Sequence, residues 1–120
     1  MKPSALAKGQ AVLIPSVDHL VGFLPRLRGL IGRSKLEVGQ AVHLMPASSV
    51  HTCMMRFDLD IVFLTRSLRV CRIVRGMKPW RMALGGRAAW SVLEMQAGWF
   101  PCDSLSVGDA VEFIEPMVAH

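Results

Sequence analysis

Hydrophobic positions along this chain follow two periods. Through most of its length they alternate with polar residues or form short apolar runs, the signature of half-buried and buried strands. Strands are expected at residues 41–45, 50–57, 59–65, 69–75, 88–95 and 110–115, separated by turn signals at Pro46-Ala47-Ser48, Gly85-Gly86 and Val107-Gly108-Asp109. Between residues 20 and 30 the period becomes helical. Leu20, Phe23, Leu24, Leu27 and Leu30 fall on one face, with Pro25 in the first turn, an end before Gly32, and Arg26, Arg28 and Arg33 pointing outward. Residues 69–75 fit least well, because Arg72 shares a face with Val70 and Val74, so a bulge or an edge position is expected there. Several short strands and one short helix predict a mainly β domain, an antiparallel β sandwich or small barrel.

A nine-residue pattern, Leu-x-x-Gly-(Gln/Asp)-Ala-Val-x-apolar, occurs three times, beginning at Leu6, Leu36 and Leu105. Glycine reaches positive φ without steric cost, so each copy reads as a turn at Gly9, Gly39 or Gly108 feeding a strand. The unequal spacing argues against a solenoid. Two origins fit the pattern, an internal duplication or one turn-into-strand solution used three times.

Composition narrows the class. The chain has 120 residues, 52% hydrophobic and 19% charged, with 14 Lys+Arg against 9 Asp+Glu and a net charge of +5. This suits one globular domain over residues 1–120 and excludes disorder, collagen and coiled coil. Cys53, Cys71 and Cys102 have no C-x-x-C spacing, so a zinc ribbon or disulfide framework is not expected. Residues 1–25 are interrupted by Pro15 and Asp18 and show no A-x-A site, and the uncharged run at 38–55 carries too many polar groups for a lipid span. The expectation is a cytoplasmic protein with no membrane span.

The blocks Arg26-Leu27-Arg28-Gly29-Leu30-Ile31-Gly32-Arg33, residues 49–64 (SVHTCMMRFDLDIVFL), Lys78-Pro79-Trp80-Arg81, Val92-Leu93-Glu94-Met95-Gln96-Ala97-Gly98 and Val107-Gly108-Asp109 occur in this order. Together they resemble the domain of unknown function 192 family over about residues 19–115. The resemblance implies a mainly β, sandwich-like domain without an established activity. Similar chains often carry an aromatic residue where Cys53 stands, so the resemblance supplies no catalytic thiol.

Candidate chemistry centres on His51, Thr52, Met55, Arg56 and Asp60. On a strand, His51, Cys53 and Met55 share one face and Thr52, Met54 and Arg56 the other. A structural role, ion pair and backbone-bonded histidine, outweighs a catalytic one, because these groups name no reaction. The rival readings are a small enzyme centred on His51, Cys53 and Asp60, or a soft-metal site. The latter needs a tight loop at 46–48 that sets His43 opposite His51, with Cys53 and Met55 as further ligands. No motif calls for a cofactor. A second surface is richer: Arg66, Arg69, Arg72, Arg75, Lys78, Arg81 and Arg87 crowd residues 61–93, which hold no acid, with Trp80 and Trp90 among them. Arginine with aromatics suits a protein interface, an acidic ligand or, less well, nucleic acid. The sequence therefore favours a non-catalytic binding or accessory module. Its contact surface would combine His51, Arg56 and Asp60 with the 69–81 stretch around Trp80.

Overall fold

The computed structural model describes residues 4–22, 36–53, 55–100 and 104–115. Over these the chain forms nine strands: β1 (Ser4–Lys8), β2 (Ala11–Val21), β3 (Gln40–Met45), β4 (Ser49–His51), β5 (Leu59–Leu64), β6 (Val70–Met77), β7 (Met82–Leu84), β8 (Ser91–Gln96) and β9 (Glu112–Ile114). No helix occurs among the described residues. The helix expected from Leu20 onward lies largely on residues outside them, and Leu20 itself belongs to the long strand β2.

Seven strands form one sheet in the order β6-β5-β8-β3-β2-β1-β9, and β4 pairs with β7 in a second, two-stranded sheet. Every pairing is antiparallel except β2 with β3, which is parallel and sets His19 beside His43. The expected antiparallel sandwich is thus a sandwich-like arrangement with a mixed main sheet. It does not close into a barrel, although the segment before β9 lies along the start of β6. There the Val70 N–H donates to the Asp109 carbonyl and the Gly108 N–H to the Val70 carbonyl.

Alternation explains the two cores. In β5 every residue is buried, so Ile61 and Phe63 serve one face of the main sheet while Val62 and Leu64 serve the other. On the first face, Val42, Leu44, Ile61, Phe63 and Val92 pack under Val50 and Ala83 of the small sheet. On the second, Leu6, Ile14, Val17, Val62 and Leu93 pack with Phe100, Leu105 and Val111. Each fully buried side chain of this size contributes about 1.5–3 kcal/mol.

The three glycine turns do occur, with Gly9, Gly39 and Gly108 all at positive φ. Two of them share one construction. The Gln40 N–H donates to the Glu37 carbonyl while the Gln40 side-chain oxygen accepts from the Glu37 N–H, and Asp109 repeats both bonds with Ser106. Positive φ at the third turn residue makes these type II turns. Gly9 differs, standing in the two-residue hairpin between Lys8 and Ala11. Residues 69–75, where a bulge or an edge position is expected, show both. β6 is the edge strand, its register against β5 shifts twice, and Arg72 is exposed.

Candidate functional site

The chain between β4 and β5 begins with a buried threonine that organises a loop far away in sequence. The Thr52 hydroxyl donates to the Lys78 carbonyl at 2.6 Å and accepts from the Arg81 N–H at 2.9 Å. The Thr52 backbone adds two more bonds, its N–H donating to the Arg81 carbonyl at 2.8 Å and its carbonyl accepting from the Trp80 N–H at 2.9 Å. Residues 78–81 are therefore clamped to a side chain with no solvent exposure. Within the clamp Trp80 holds a left-handed backbone, φ 64°, and its side chain is 64% exposed. Left-handed backbone costs a residue with a Cβ roughly 1–2 kcal/mol. A tryptophan held there mostly exposed has little packing gain to offset that cost, and such outliers concentrate at functional positions.

Beside Trp80 runs β7, whose Ala83 faces the core while Met82 and Leu84 are 71% and 60% exposed. His51 lies opposite Met82 in the β4–β7 register and is exposed. An apolar strip of Trp80, Met82 and Leu84 thus adjoins His51 and a rim of cations. The rim is partly anchored: an Arg72 guanidinium nitrogen donates to the Leu84 carbonyl, Arg81 to the Trp80 carbonyl, and Lys78 lies 3.5 Å from Asp58. Arg69 donates to the Gly108 carbonyl and Arg66 stacks on Trp90, 3.9 Å from the ring centroid. Arg69, Arg72, Arg75, Lys78 and Arg81 all remain exposed, so the flank faces outward.

The other expected members separate. Thr52 and Met55 are buried, Met55 in the core under the small sheet, and Arg56 is exposed. Asp60 is buried and accepts from the Gly76 N–H at 2.8 Å, holding the β6 bulge rather than pairing with Arg56. The exposed face that was to combine His51, Arg56 and Asp60 therefore lacks Asp60, because the carboxylate is spent on a backbone donor left over by the register shift. No bond joins His51, Cys53 and Asp60 among the described residues. The loop at 46–48 does not pair 41–45 with 49–53 either. His43 sits in β3 between β2 and β8, whereas His51 is on the other sheet, so the metal set of His43, His51, Cys53 and Met55 is not assembled. Among the described residues no three His, Cys, Asp or Glu gather as metal ligands.

Two buried titratable groups have no place in the expected contact surface. His43 is 3% exposed, and burial first, then the neighbouring His19, lowers its pKa to about 4. Its ring packs tilted against Phe113 and that of His19 meets Phe113 edge-on, each at 4.6 Å between centroids. Glu94 sits on β8 between Val42 and Ile61, and burial pushes its carboxyl up to about 7. Glu94 shows in the sequence as the single acid in the apolar run at 91–95, and His43 entered only as a member of the metal set that is not assembled.

Residues 6–113 match the domain of unknown function 192 family, described as "Uncharacterized ACR". A UPF0127 protein of Pyrococcus furiosus is 29% identical over 113 residues, covering 90% of this chain and 94% of that protein. Two crystal structures share the fold. One is a protein of unknown function from Novosphingobium aromaticivorans, with TM-score 0.78, 19% identity, and coverage of 92% of this chain and 83% of that one. The other, from Sinorhizobium meliloti, is described as a putative transcription regulator, with TM-score 0.76, 19% identity, and coverage of 93% and 92%.

Proposed function

The chain belongs to the domain of unknown function 192 family, which assigns no activity, and from that premise we propose that it is a non-catalytic binding module. Its contact surface is Trp80, Met82 and Leu84, rimmed by His51, Arg72, Lys78 and Arg81. The observation that carries this is Trp80, wide open to solvent yet clamped by Thr52 in a backbone conformation that costs free energy. Interfaces concentrate binding energy in aromatic and arginine side chains, and this strip has both. Cys53 and Cys71 are free thiols, which suits a cytoplasmic setting.

Photo-crosslinking tests the reading. With p-benzoylphenylalanine at position 80 or 82, irradiated cells should yield a discrete protein adduct that Arg81→Glu removes. The same group at exposed Val38, on the turn before β3, should not yield it. Identical adducts from all three positions would end the proposal. A second reading, single-stranded nucleic acid, is favoured by the same Trp and Arg side chains, since bases stack on aromatics and phosphates pair with guanidinium. It requires oligonucleotide affinity that falls steeply with added salt.

A further inference from the structure

We infer that β7 receives an extended acidic and apolar segment of a partner protein as an added strand of the small sheet. This rests on the docking reading above and names its partner class. The hydrogen-bond phase of the β4–β7 pair carries the argument. The Thr52 N–H donates to the Arg81 carbonyl and the Gly85 N–H to the Ser48 carbonyl, both at 2.8 Å. Hydrogen-bonded pairs recur at every second residue of an antiparallel ladder, so Val50 and Ala83 form the pair between them. Met82 and Leu84 consequently turn their N–H and C=O groups away from β4.

No described strand pairs with that outer edge. Of its outward groups the Leu84 carbonyl accepts from the Arg72 guanidinium, which leaves the Met82 N–H and carbonyl and the Leu84 N–H along the rail. The same two residues carry the exposed apolar side chains. Folded proteins usually blunt such an edge with a bulge, a proline or an inward charge, and β7 itself has none of these. Strand addition uses this combination, with main-chain bonds for affinity and flanking side chains for selectivity.

Charge selects the occupant. Residues 61–93 hold seven cations and no acid, so Asp and Glu in the incoming strand meet Arg72 and Arg81 at either end of β7. A second copy of this chain fits poorly, because antiparallel pairing of β7 with itself brings Arg72 of one copy against Arg81 of the other in a chain of net charge +5. Nucleic acid would use the cations and Trp80 but leave the backbone rail untouched.

A phage-displayed library of linear peptides panned against the full chain supplies the probe, with oligothymidylate as the parallel ligand. Selected peptides should alternate apolar residues with Asp or Glu. In their complexes, amide hydrogen exchange at Met82 and Leu84 should slow by about tenfold or more, and Met82→Pro should weaken binding by about tenfold relative to Met82→Ala. The exchange measurement needs no variant and stands if Met82→Pro does not fold. Peptides that need Trp80 but leave Met82 and Leu84 exchange unchanged would overturn strand addition and spare the docking reading. Peptides indifferent to Trp80→Ala, or none above background, would overturn both. Oligothymidylate binding tighter than any selected peptide, with no change at the Met82 amide, overturns it in favour of nucleic acid.

Discussion

The Nδ1 atoms of His19 and His43 lie 2.8 Å apart, so one of these nitrogens carries a proton that the other accepts. Neighbouring positions on the parallel strands β2 and β3 bring the rings together. The arrangement holds only while the accepting ring is neutral, and burial lowers the pKa of both histidines.

Stability should therefore depend on pH through two opposed groups. His43 has a folded value of about 4 against 6.5 unfolded, so its contribution is complete above 6.5 and is lost as pH falls toward 4. Glu94 has a folded value of about 7 against 4.5 unfolded, so its contribution is complete below 4.5 and is lost as pH rises toward 7. Each slope is about 1.4 kcal/mol per pH unit, and within the shared window they oppose each other. Glu94→Gln should make urea-measured stability climb with pH between about 4.5 and 6.5, and His43→Phe should make it fall across the same range. Variants with profiles parallel to the parent would show that neither group is tuned by burial.

Gly85 approaches the core more closely than any side chain allows. A Cβ there would stand 2.4 Å from Cδ1 of Phe63 and 2.6 Å from Cβ of Ala89. Phe63 is fully buried and has nowhere to retreat. Gly85→Ala should cost about 1–3 kcal/mol by overpacking, and Phe63→Leu in the same chain should recover part of it. Chemical denaturation of the two single variants and the double variant measures the coupling.

Thr52→Val removes one hydroxyl and strands two backbone groups, the Lys78 carbonyl and the Arg81 N–H. The expected loss is about 1–3 kcal/mol, with faster amide exchange at Trp80 and Arg81. Thr52→Ser keeps the hydroxyl and should behave nearly as the parent. Equal exchange in both variants would show that the clamp does not depend on the hydroxyl.

Trp80→Gly separates stability from binding. Glycine adopts the left-handed backbone freely, so thermal unfolding should show no loss and a gain of about 1 kcal/mol. Crosslinking through position 82 should disappear in the same variant. A marked loss of stability would mean that the exposed indole packs in a way its exposure does not reveal.

Local features were legible because local chemistry dictates them. Positive φ at Gly39 and Gly108, with a Gln or Asp next in sequence to close the turn, needs only four residues to specify. The edge position of β6 showed in Arg72, since a charge on an apolar face is tolerated where the face meets water. The helical spacing from Leu20 misled at its start. β2 runs on to Val21 because pairing with β3 satisfies its backbone, and a short periodic pattern does not outweigh a strand ladder. In the candidate site, Trp80 and the cations were visible as composition, while Met82 and Leu84 lie between the expected strands 69–75 and 88–95 and carry no local signal. Their exposure depends on which face of β7 the small sheet turns inward.

By itself the sequence determined a β-rich chain, its glycine turns, a strand over residues 59–64 and a basic flank carrying Trp80. Those follow from backbone sterics, from side-chain alternation and from unbalanced charge within a few residues. Tertiary structure alone decided that β2 lies parallel to β3, that Thr52 holds residues 78–81, and that Asp60 serves Gly76 instead of His51. Each joins positions far apart in the chain, and such pairings are chosen by the packing of the whole sheet, which no local pattern records.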